Sequence, residues 1–320
     1  MSRRKSLLPA LWLLIFSGCS NDAEQTLSLA AQGVYAGALS EDGELALIGS
    51  MNHGASLWQR SSNERLFSWN HKAGEFSTLI STAFSPNGTR AATCDPRTLV
   101  VWDTQSGKDM AFWGLPAAAL DVALDNTGRK VLLGLEDHSA LLFDAASGAH
   151  LHTFLHQGVV GTVTLDHMAS VALTGSDDET ARIWDLATGT ERFKLQHRNP
   201  VRTVALSADG TLAFTASQNQ RVRVWDATTG TAVRTLYERN PGVTSARFSS
   251  DGSLLLLGLV NRTVELFIVA SGKRVQSWRL SSDKPLKTSG RSILDVAFAA
   301  NSGRYFSISG SGDVSTLVAR

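Results

Sequence analysis

Residues 170–189, SVALTGSDDETARIWDLATG, decide the fold of this chain. They contain a short apolar run, an acidic turn, a second run that ends in Trp184-Asp185, and a turn closed by Thr188-Gly189. A near copy follows 41 residues later and ends in Trp225-Asp226, and an earlier copy ends in Trp102-Asp103. Short apolar runs bounded by turn residues are typical of β-strands, so the chain repeats a β-unit.

Each unit carries an apolar anchor residue at the end of its Trp-bearing strand. The seven anchors are Trp58, Trp102, Phe143, Trp184, Trp225, Phe267 and, in a degraded copy, Leu317. The gaps between them are 44, 41, 41, 41, 42 and 50 residues, and the last gap predicts an insertion in residues 281–291. A period of about 40–45 residues suits four short strands with their turns.

Tight turns recur at a fixed place in these units. Asp42-Gly43, Asn87-Gly88, Asp209-Gly210 and Asp251-Gly252 are strong turn signals, because Gly accepts positive φ without a Cβ clash. His167-Met168 is the weakest copy.

The period, the turns and the Trp-Asp pairs together resemble those of the WD-repeat β-propellers over residues 26–320. This resemblance implies an all-β fold: a seven-bladed β-propeller of four-stranded antiparallel blades. An open or six-bladed ring is the alternative. The last repeat ends after three strands, and Thr26–Ala30 alternates as a strand without a blade of its own. We therefore expect this N-terminal strand to complete the last blade, which leaves no sheet edge open.

The resemblance also implies a hydrogen-bonded set of His, Ser or Thr, Asp and Trp within a blade. In the fourth blade the matching residues are His156, Thr174 or Ser176, Asp178 and Trp184. In the fifth they are His197, Thr215 or Ser217, and Trp225, with Asn219 in place of the Asp. Phe143 and Phe267 lack the indole N–H, which should loosen the set in their blades.

The N-terminus has the pattern of a secretion signal. Arg3-Arg4-Lys5 precedes an apolar run from Leu7 to Phe16, which is too short to span a bilayer. Ser17-Gly18-Cys19 resembles a bacterial lipoprotein cleavage site, which implies a signal peptide at 1–18, lipidation of Cys19 and a tether at 19–25. Ser20 after the cysteine implies the outer membrane, facing the periplasm. An ordinary cleaved signal or an uncleaved anchor is the alternative, since Phe16 stands where that motif has Leu.

The composition argues against several other classes of function. A net charge of +1 gives no general attraction to nucleic acid. The chain has no Gly-Xaa-Ser-Xaa-Gly elbow and no phosphate-binding loop, and we expect no cofactor. His150, His152 and His156 alternate on one strand, but no further ligand completes a metal site. Cys94 is interpreted as a small core residue.

The small net charge hides a division of the chain into two parts of opposite charge. Residues 31–180 contain 8 Lys and Arg against 17 Asp and Glu, whereas residues 181–320 contain 19 against 10. In a propeller, the loops before each first strand and between the second and third strands share one face. The basic candidates for partner binding there are Arg198, Arg221, Arg239, Arg262, Lys284, Lys287 and Arg291. Complementary charge steers a partner and fixes its register, although loops of this kind are also simply solvated.

The sequence therefore predicts a lipid-anchored, monomeric, non-catalytic scaffold of the bacterial envelope that binds protein partners. The alternative is an envelope hydrolase or lyase with its site in the central channel. That alternative requires titratable groups with shifted pKa values to converge on the axis.

Overall fold

The computed structural model describes residues 23–30, 34–50, 53–71, 77–219, 221–281, 292–299 and 303–319. The predicted signal peptide and Cys19 lie outside the described residues, as do Lys284, Lys287, Arg291 and most of the predicted insertion. The described part of the chain contains no helix with the length and apolar character needed to cross a membrane.

The described residues form short strands of four to seven residues. In chain order these are β1 (Gln25–Ser28), β2 (Val34–Leu39), β3 (Leu45–Ser50), β4 (Gly54–Gln59), β5 (Glu64–Trp69), β6 (Ser81–Phe84), β7 (Arg90–Cys94), β8 (Thr98–Asp103), β9 (Asp109–Gly114), β10 (Ala119–Leu124), β11 (Lys130–Leu135), β12 (Ser139–Asp144), β13 (His150–Leu155), β14 (Val160–Leu165), β15 (Val171–Ser176), β16 (Thr180–Asp185), β17 (Thr190–Gln196), β18 (Val201–Leu206), β19 (Leu212–Ser217), β20 (Val222–Asp226), β21 (Thr231–Tyr237), β22 (Val243–Phe248), β23 (Leu254–Leu259), β24 (Thr263–Ile268), β25 (Lys273–Arg279), β26 (Ile293–Phe298), β27 (Arg304–Ser309) and β28 (Asp313–Val318).

These strands form seven antiparallel sheets of four strands each. Blades one to six are β2–β5, β6–β9, β10–β13, β14–β17, β18–β21 and β22–β25, and blade seven has the order β1-β28-β27-β26. The predicted seven-bladed propeller is confirmed.

Blade seven is closed by the two ends of the chain. Gln25, Thr26, Leu27 and Ser28 lie opposite Thr316, Ser315, Val314 and Asp313, respectively. The Glu24 N–H donates to the Thr316 carbonyl at 2.8 Å, and the Leu29 N–H donates to Gly312 at 2.9 Å. The N-terminal strand therefore covers the outer edge of β28, as predicted.

The turn without glycine in blade four folds like the others. Gly210 has φ of 69° in the first turn of blade five, and Ala169 has φ of 50° at the equivalent place in blade four. The Asp166 carboxylate supports this turn by accepting the backbone N–H groups of Ser170 and Val171 at 2.7 Å. These bonds offset the cost of a non-glycine residue in the left-handed region.

The apolar core lies between neighbouring blades. Between blades one and two, for example, Leu57 and Trp69 pack with Val100 and Trp102, and the two indole rings stack with centroids 4.9 Å apart. Aromatic pairs of this geometry stabilise beyond the area they bury. The ring is thus held by a series of interfaces between blades rather than by one central core.

Bulges in the innermost strands aim polar side chains at neighbouring blades. The register of β10 shifts between Ala119 and Asp121, and that of β26 shifts between Ile293 and Asp295. Asp121 accepts the Val163 N–H of blade four at 2.9 Å, and Asp295 accepts the Leu39 N–H of blade one at 2.9 Å. A bulge re-aims a side chain, and here it turns two carboxylates into links between blades.

Candidate functional site

Blade four contains a buried network that begins at its loop end. His156 Nε2 lies 2.7 Å from Thr174 Oγ1, and His156 Nδ1 lies 3.0 Å from the Asp178 carboxylate. Trp184 Nε1 donates to Thr174 Oγ1 at 2.8 Å, and Thr180 Oγ1 donates to Asp178 at 2.6 Å. The structure brings the predicted residues together and selects Thr174 over Ser176, whose hydroxyl donates to the Gly158 carbonyl instead.

Arg182 adds a cation to this network. Its guanidinium bonds to Asp178 at 3.2 Å, Glu191 at 3.0 Å, Gln157 at 2.8 Å and Thr180 at 3.3 Å. Hydrogen bonds from Thr180 and Gln157, with the charge of His156, outweigh burial and hold the pKa of Asp178 well below its usual range. Burial lowers the pKa of His156, and Asp178 opposes that shift. The charged groups of this network therefore already have partners within blade four.

Blade two holds a second network that the sequence analysis missed. His71 Nε2 lies 2.8 Å from Thr93 Oγ1, and Trp102 Nε1 donates to the same hydroxyl at 2.8 Å. His71 Nδ1 lies 2.5 Å from Thr98 and 3.3 Å from Asp95. His71 precedes its Trp by three residues more than His156 does, which hid the match. The available signal was Thr93, which precedes Trp102 at nearly the same spacing as Thr174 precedes Trp184.

Blade five keeps only half of the network. Trp225 Nε1 donates to Thr215 Oγ1 at 2.8 Å, so the structure selects Thr215 over Ser217. His197 is 6% exposed, and its Nε2 atom has no hydrogen-bond partner in the described part of the chain. Asn219 has φ of 54° at the turn but makes no hydrogen bond to His197 within the described residues. Burial and the nearby Arg223 lower the pKa of His197 to about 4.

His150, His152 and Cys94, which the sequence singled out, have structural surroundings. His150 Nε2 lies 2.7 Å from Thr153 Oγ1, and His152 Nε2 lies 3.2 Å from the Leu186 carbonyl in the next blade. Within the described residues, no three His, Cys, Asp or Glu side chains are grouped in a way that could hold a metal ion. Cys94 is fully buried, and burial raises the pKa of its thiol well above the ordinary value.

The central channel encloses a cavity of about 440 Å³ that contains ionisable groups. Asp121 accepts hydrogen bonds from Ser81 Oγ and the backbone N–H groups of Val122 and Val163, but burial raises its pKa to about 6. Asp295 pairs with Arg247 at 2.7 Å, and Arg247 also donates to the Leu39 and Ser40 carbonyls. These contacts join neighbouring blades.

The described charged loops named from the sequence lie on one face of the ring. The antiparallel order of each blade places the loop before its first strand and the loop between its second and third strands on the same face, here called the loop face. Contacts such as Gln157 N–H to Asp178 at 3.1 Å join the two kinds of loop. The opposite face, formed by the other two kinds of turn, is called the turn face.

The structure separates the available charges of the loop face from those used internally. Glu136, Asp137 and Glu179 are exposed in blades three and four, whereas Asp95 and Asp178 belong to the networks. Arg198, Arg221 and Arg239 are exposed in blades five and six, and Arg262 is half-buried. Outside the networks of blades two and four, the described residues of this face also form ion pairs between Arg202 and Asp177 at 2.8 Å and between Arg221 and Glu238 at 2.7 Å.

Comparison with known families gives matches in the centre of the chain. The family model for the WD domain, G-beta repeat, matches residues 148–185 and 189–226. Each match begins at the outer strand of one blade and ends at the Trp-Asp pair of the next. No curated protein matches the chain.

Proposed function

We propose that this seven-bladed propeller, in which two segments match the WD-repeat family model, is a non-catalytic scaffold that binds protein partners through its loop face and is anchored to a bacterial envelope membrane through Cys19. A WD-repeat propeller supports a role in protein interaction. The anchor and the envelope location rest on the signal-like N-terminus.

The division of charge on the loop face carries this proposal. Exposed carboxylates stand on blades three and four, and exposed guanidinium groups stand on blades five and six. Exposed Arg97 in blade two and exposed Glu238 in the loop before blade six are exceptions. A rigid ring holds these groups at fixed separations, so a partner of mixed charge would meet complementary fields on both sides. Such complementarity increases the association rate and suppresses wrong partners.

The course of β1 tells which face a tethered propeller would present. β1 runs antiparallel to β28, and Ser28 lies opposite Asp313 at the loop end while Gln25 lies opposite Thr316 towards the turn end. The chain therefore enters blade seven from the turn face. Glu24, the first residue bonded to the blade, follows Cys19 by five positions, a reach of about 17 Å. A lipid at Cys19 would hold the turn side near the membrane and leave the loop face open to partners.

The channel favours a structural role over the hydrolase or lyase alternative. Two of its carboxylates, Asp121 and Asp295, are bonded to the backbone of neighbouring blades, and a third, Glu41, lies 3.7 Å from His167. A general acid or base needs a free path to substrate, whereas these groups already have partners. We therefore assign Asp121 and Asp295 to ring closure.

Site-specific photo-cross-linking in intact cells tests the binding face. A photoreactive residue placed at exposed Gln157 or Arg239 on the loop face should capture a defined protein. The same residue at exposed Asp209 or Thr188 on the turn face should not, and serves as the control. Reversal of Arg239, Lys284, Lys287 and Arg291 to Glu should abolish the loop-face product. Equal capture from both faces, or capture unchanged by the reversal, would show the proposal to be wrong.

The anchor is tested separately. The native chain should incorporate a labelled fatty acid and sediment with the outer membrane, and Cys19→Ser should do neither. Cys94→Ser is the matched control, because Cys94 is buried. Fatty-acid labelling of the Cys19→Ser variant would refute the anchor. It would leave the proposal for the binding face unaffected.

A further inference from the structure

Blades four and five are equivalent units 41 residues apart, yet the surroundings of their matching arginines differ completely. Arg182 in blade four corresponds to Arg223 in blade five. The four bonded partners of Arg182 are Gln157, Asp178, Thr180 and Glu191. Their counterparts around Arg223 are, in the same order, Arg198, Asn219, Arg221 and Ala232.

These replacements remove two carboxylates and add two guanidinium groups. The guanidinium of Arg223 makes no ion pair or hydrogen bond within the described part of the chain, and its Cζ atom lies 5.3 Å from the centroid of the Trp225 ring. Burial and the positive charges of Arg221 and Arg198 lower the pKa of Arg223. The remaining acid, Glu238, opposes this shift, but it already pairs with Arg221 at 2.7 Å and is 75% exposed.

The cations surround an open space. A cavity of about 370 Å³ is lined by Gln196, His197, Arg198, Arg221, Arg223 and Glu238, and these residues are called the blade-five pocket. His197 contributes a second, independent observation. Its buried Nε2 atom lacks any partner among the described residues, whereas Nε2 of His156 bonds to Thr174. A buried polar atom without a partner is unfavourable, so the loop end of blade five lacks both the acid and the internal hydrogen bond that stabilise blade four.

We propose that the blade-five pocket binds a carboxylate group from an acidic segment of a protein partner. Blade four indicates the chemistry, because there two carboxylates of the chain itself, Asp178 and Glu191, bond to the matching arginine. In blade five the partner supplies the missing acid. Guanidinium groups recognise planar carboxylates through paired hydrogen bonds. This inference rests on the proposed scaffold function and names the chemistry of the partner.

Peptide titration of the full chain tests the pocket. A ten-residue Glu-rich peptide and a Gln-rich peptide of equal length are added to the native protein, and affinity is measured by calorimetry. We expect the Glu-rich peptide to bind at least about tenfold more tightly, since loss of a close charge pair has a large effect on affinity. Equal binding of the two peptides would overturn the proposal. A Gln-rich peptide of the same length that contains one phosphoserine is titrated as well. Tighter binding of this peptide than of the Glu-rich one would overturn the choice of a carboxylate.

Variants that copy blade four supply the decisive comparison. Asn219→Asp restores the internal acid, and Arg198→Gln with Arg221→Thr restores the neutral neighbours. Because blade four already folds with these residues, loss of folding is not expected, and circular dichroism checks it. Each variant should weaken the affinity for the Glu-rich peptide at least about tenfold. Lys194→Gln on the exposed outer strand of blade four is the charge-matched control and should leave affinity unchanged. Affinity that is unchanged in Asn219→Asp would overturn the pocket.

Cross-linking separates this inference from the scaffold function. If the loop face captures a partner in cells while the native protein fails to distinguish the two peptides, the pocket assignment is wrong and the scaffold function stands. If the native protein prefers the Glu-rich peptide but the loop face captures nothing, the pocket stands as an anion site and the scaffold proposal fails.

Discussion

Thr174 and Trp184 are joined by a 2.8 Å hydrogen bond from the indole N–H to the threonine hydroxyl, and the same pair recurs as Thr93 with Trp102 and Thr215 with Trp225. The hydroxyl in blade four also meets His156 Nε2 at 2.7 Å. One side chain of a central strand thus connects the loop end of the blade to its aromatic anchor.

Replacement of this threonine should destabilise the ring. Thr174→Val keeps the shape but leaves the Trp184 and His156 nitrogens without a buried partner. We expect the free energy of unfolding to fall by about 2–4 kcal/mol, because each unsatisfied buried group costs about 1–3 kcal/mol. Chemical denaturation monitored by tryptophan fluorescence measures it. Thr82→Val is the matched control, since Thr82 Oγ1 is buried with no partner among the described residues, and it should be neutral or stabilising. Equal losses in both variants would contradict the assigned role of Thr174.

His197 should make folding sensitive to mild acid. Its pKa is about 4 in the folded chain against 6.5 for the free side chain, so the folded state favours the neutral ring. The resulting stability is present above pH 6.5 and is lost as the pH falls towards 4. From this residue alone we expect a loss of about 2 kcal/mol between pH 7 and pH 5.

The ring signals of His197 in an NMR titration give the direct measurement. Asn219→Asp should raise this pKa, because Asp178 opposes the lowering of the His156 pKa in blade four. A His197 that titrates near 6.5 in the native chain would refute the buried, unpaired geometry.

Asp121 should make the folded chain more stable, rather than less stable, as the pH falls. Burial raises its pKa from 3.8 to about 6, so its contribution to stability is fully present below 3.8 and is lost as the pH rises through 6. Asp121→Ala removes three hydrogen bonds and should destabilise at every pH. The difference from the native chain should grow by about 1 kcal/mol between pH 7 and pH 5. Denaturation curves at the two pH values measure it, with exposed Asp109→Ala as the control. A difference that shrinks on acidification would contradict the raised pKa.

The architecture could be predicted from the sequence because it depends on a repeated local pattern. The period of the anchors, the turn glycines and the alternating strands each fix one level of the same blade. Even the closure of blade seven followed from counting strands, since Thr26–Ala30 otherwise had no sheet to join.

The chemistry of the loop face could be predicted only in part. The charge count of residues 31–180 includes Asp95, but the structure shows that this carboxylate pairs with His71 inside its own blade. Arg223 was not predicted to be a binding residue, because a residue within a strand carries no sequence signal that separates a binding role from a structural one. Its importance depends on four neighbours that are close in space and distributed over 35 positions of the chain, from Arg198 to Ala232. Pairing of this kind is a property of the folded blade and not of a local pattern.

A disulfide across the closing strand pair tests how the ring is locked. Thr26 and Ser315 lie directly opposite each other in β1 and β28, with their hydroxyl oxygens 3.2 Å apart and a sequence separation of 289 residues. Opposed residues at this spacing have side chains close enough for a bridge. Thr26→Cys with Ser315→Cys, on a Cys19→Ser background, should oxidise and raise the free energy of unfolding by about 2–4 kcal/mol, since the bridge restricts the unfolded chain. The gain should vanish on reduction, and Thr26→Cys alone should show none. If the pair fails to oxidise, or oxidises only in the unfolded chain, then β1 does not occupy the outer edge of blade seven and the propeller must close in another way.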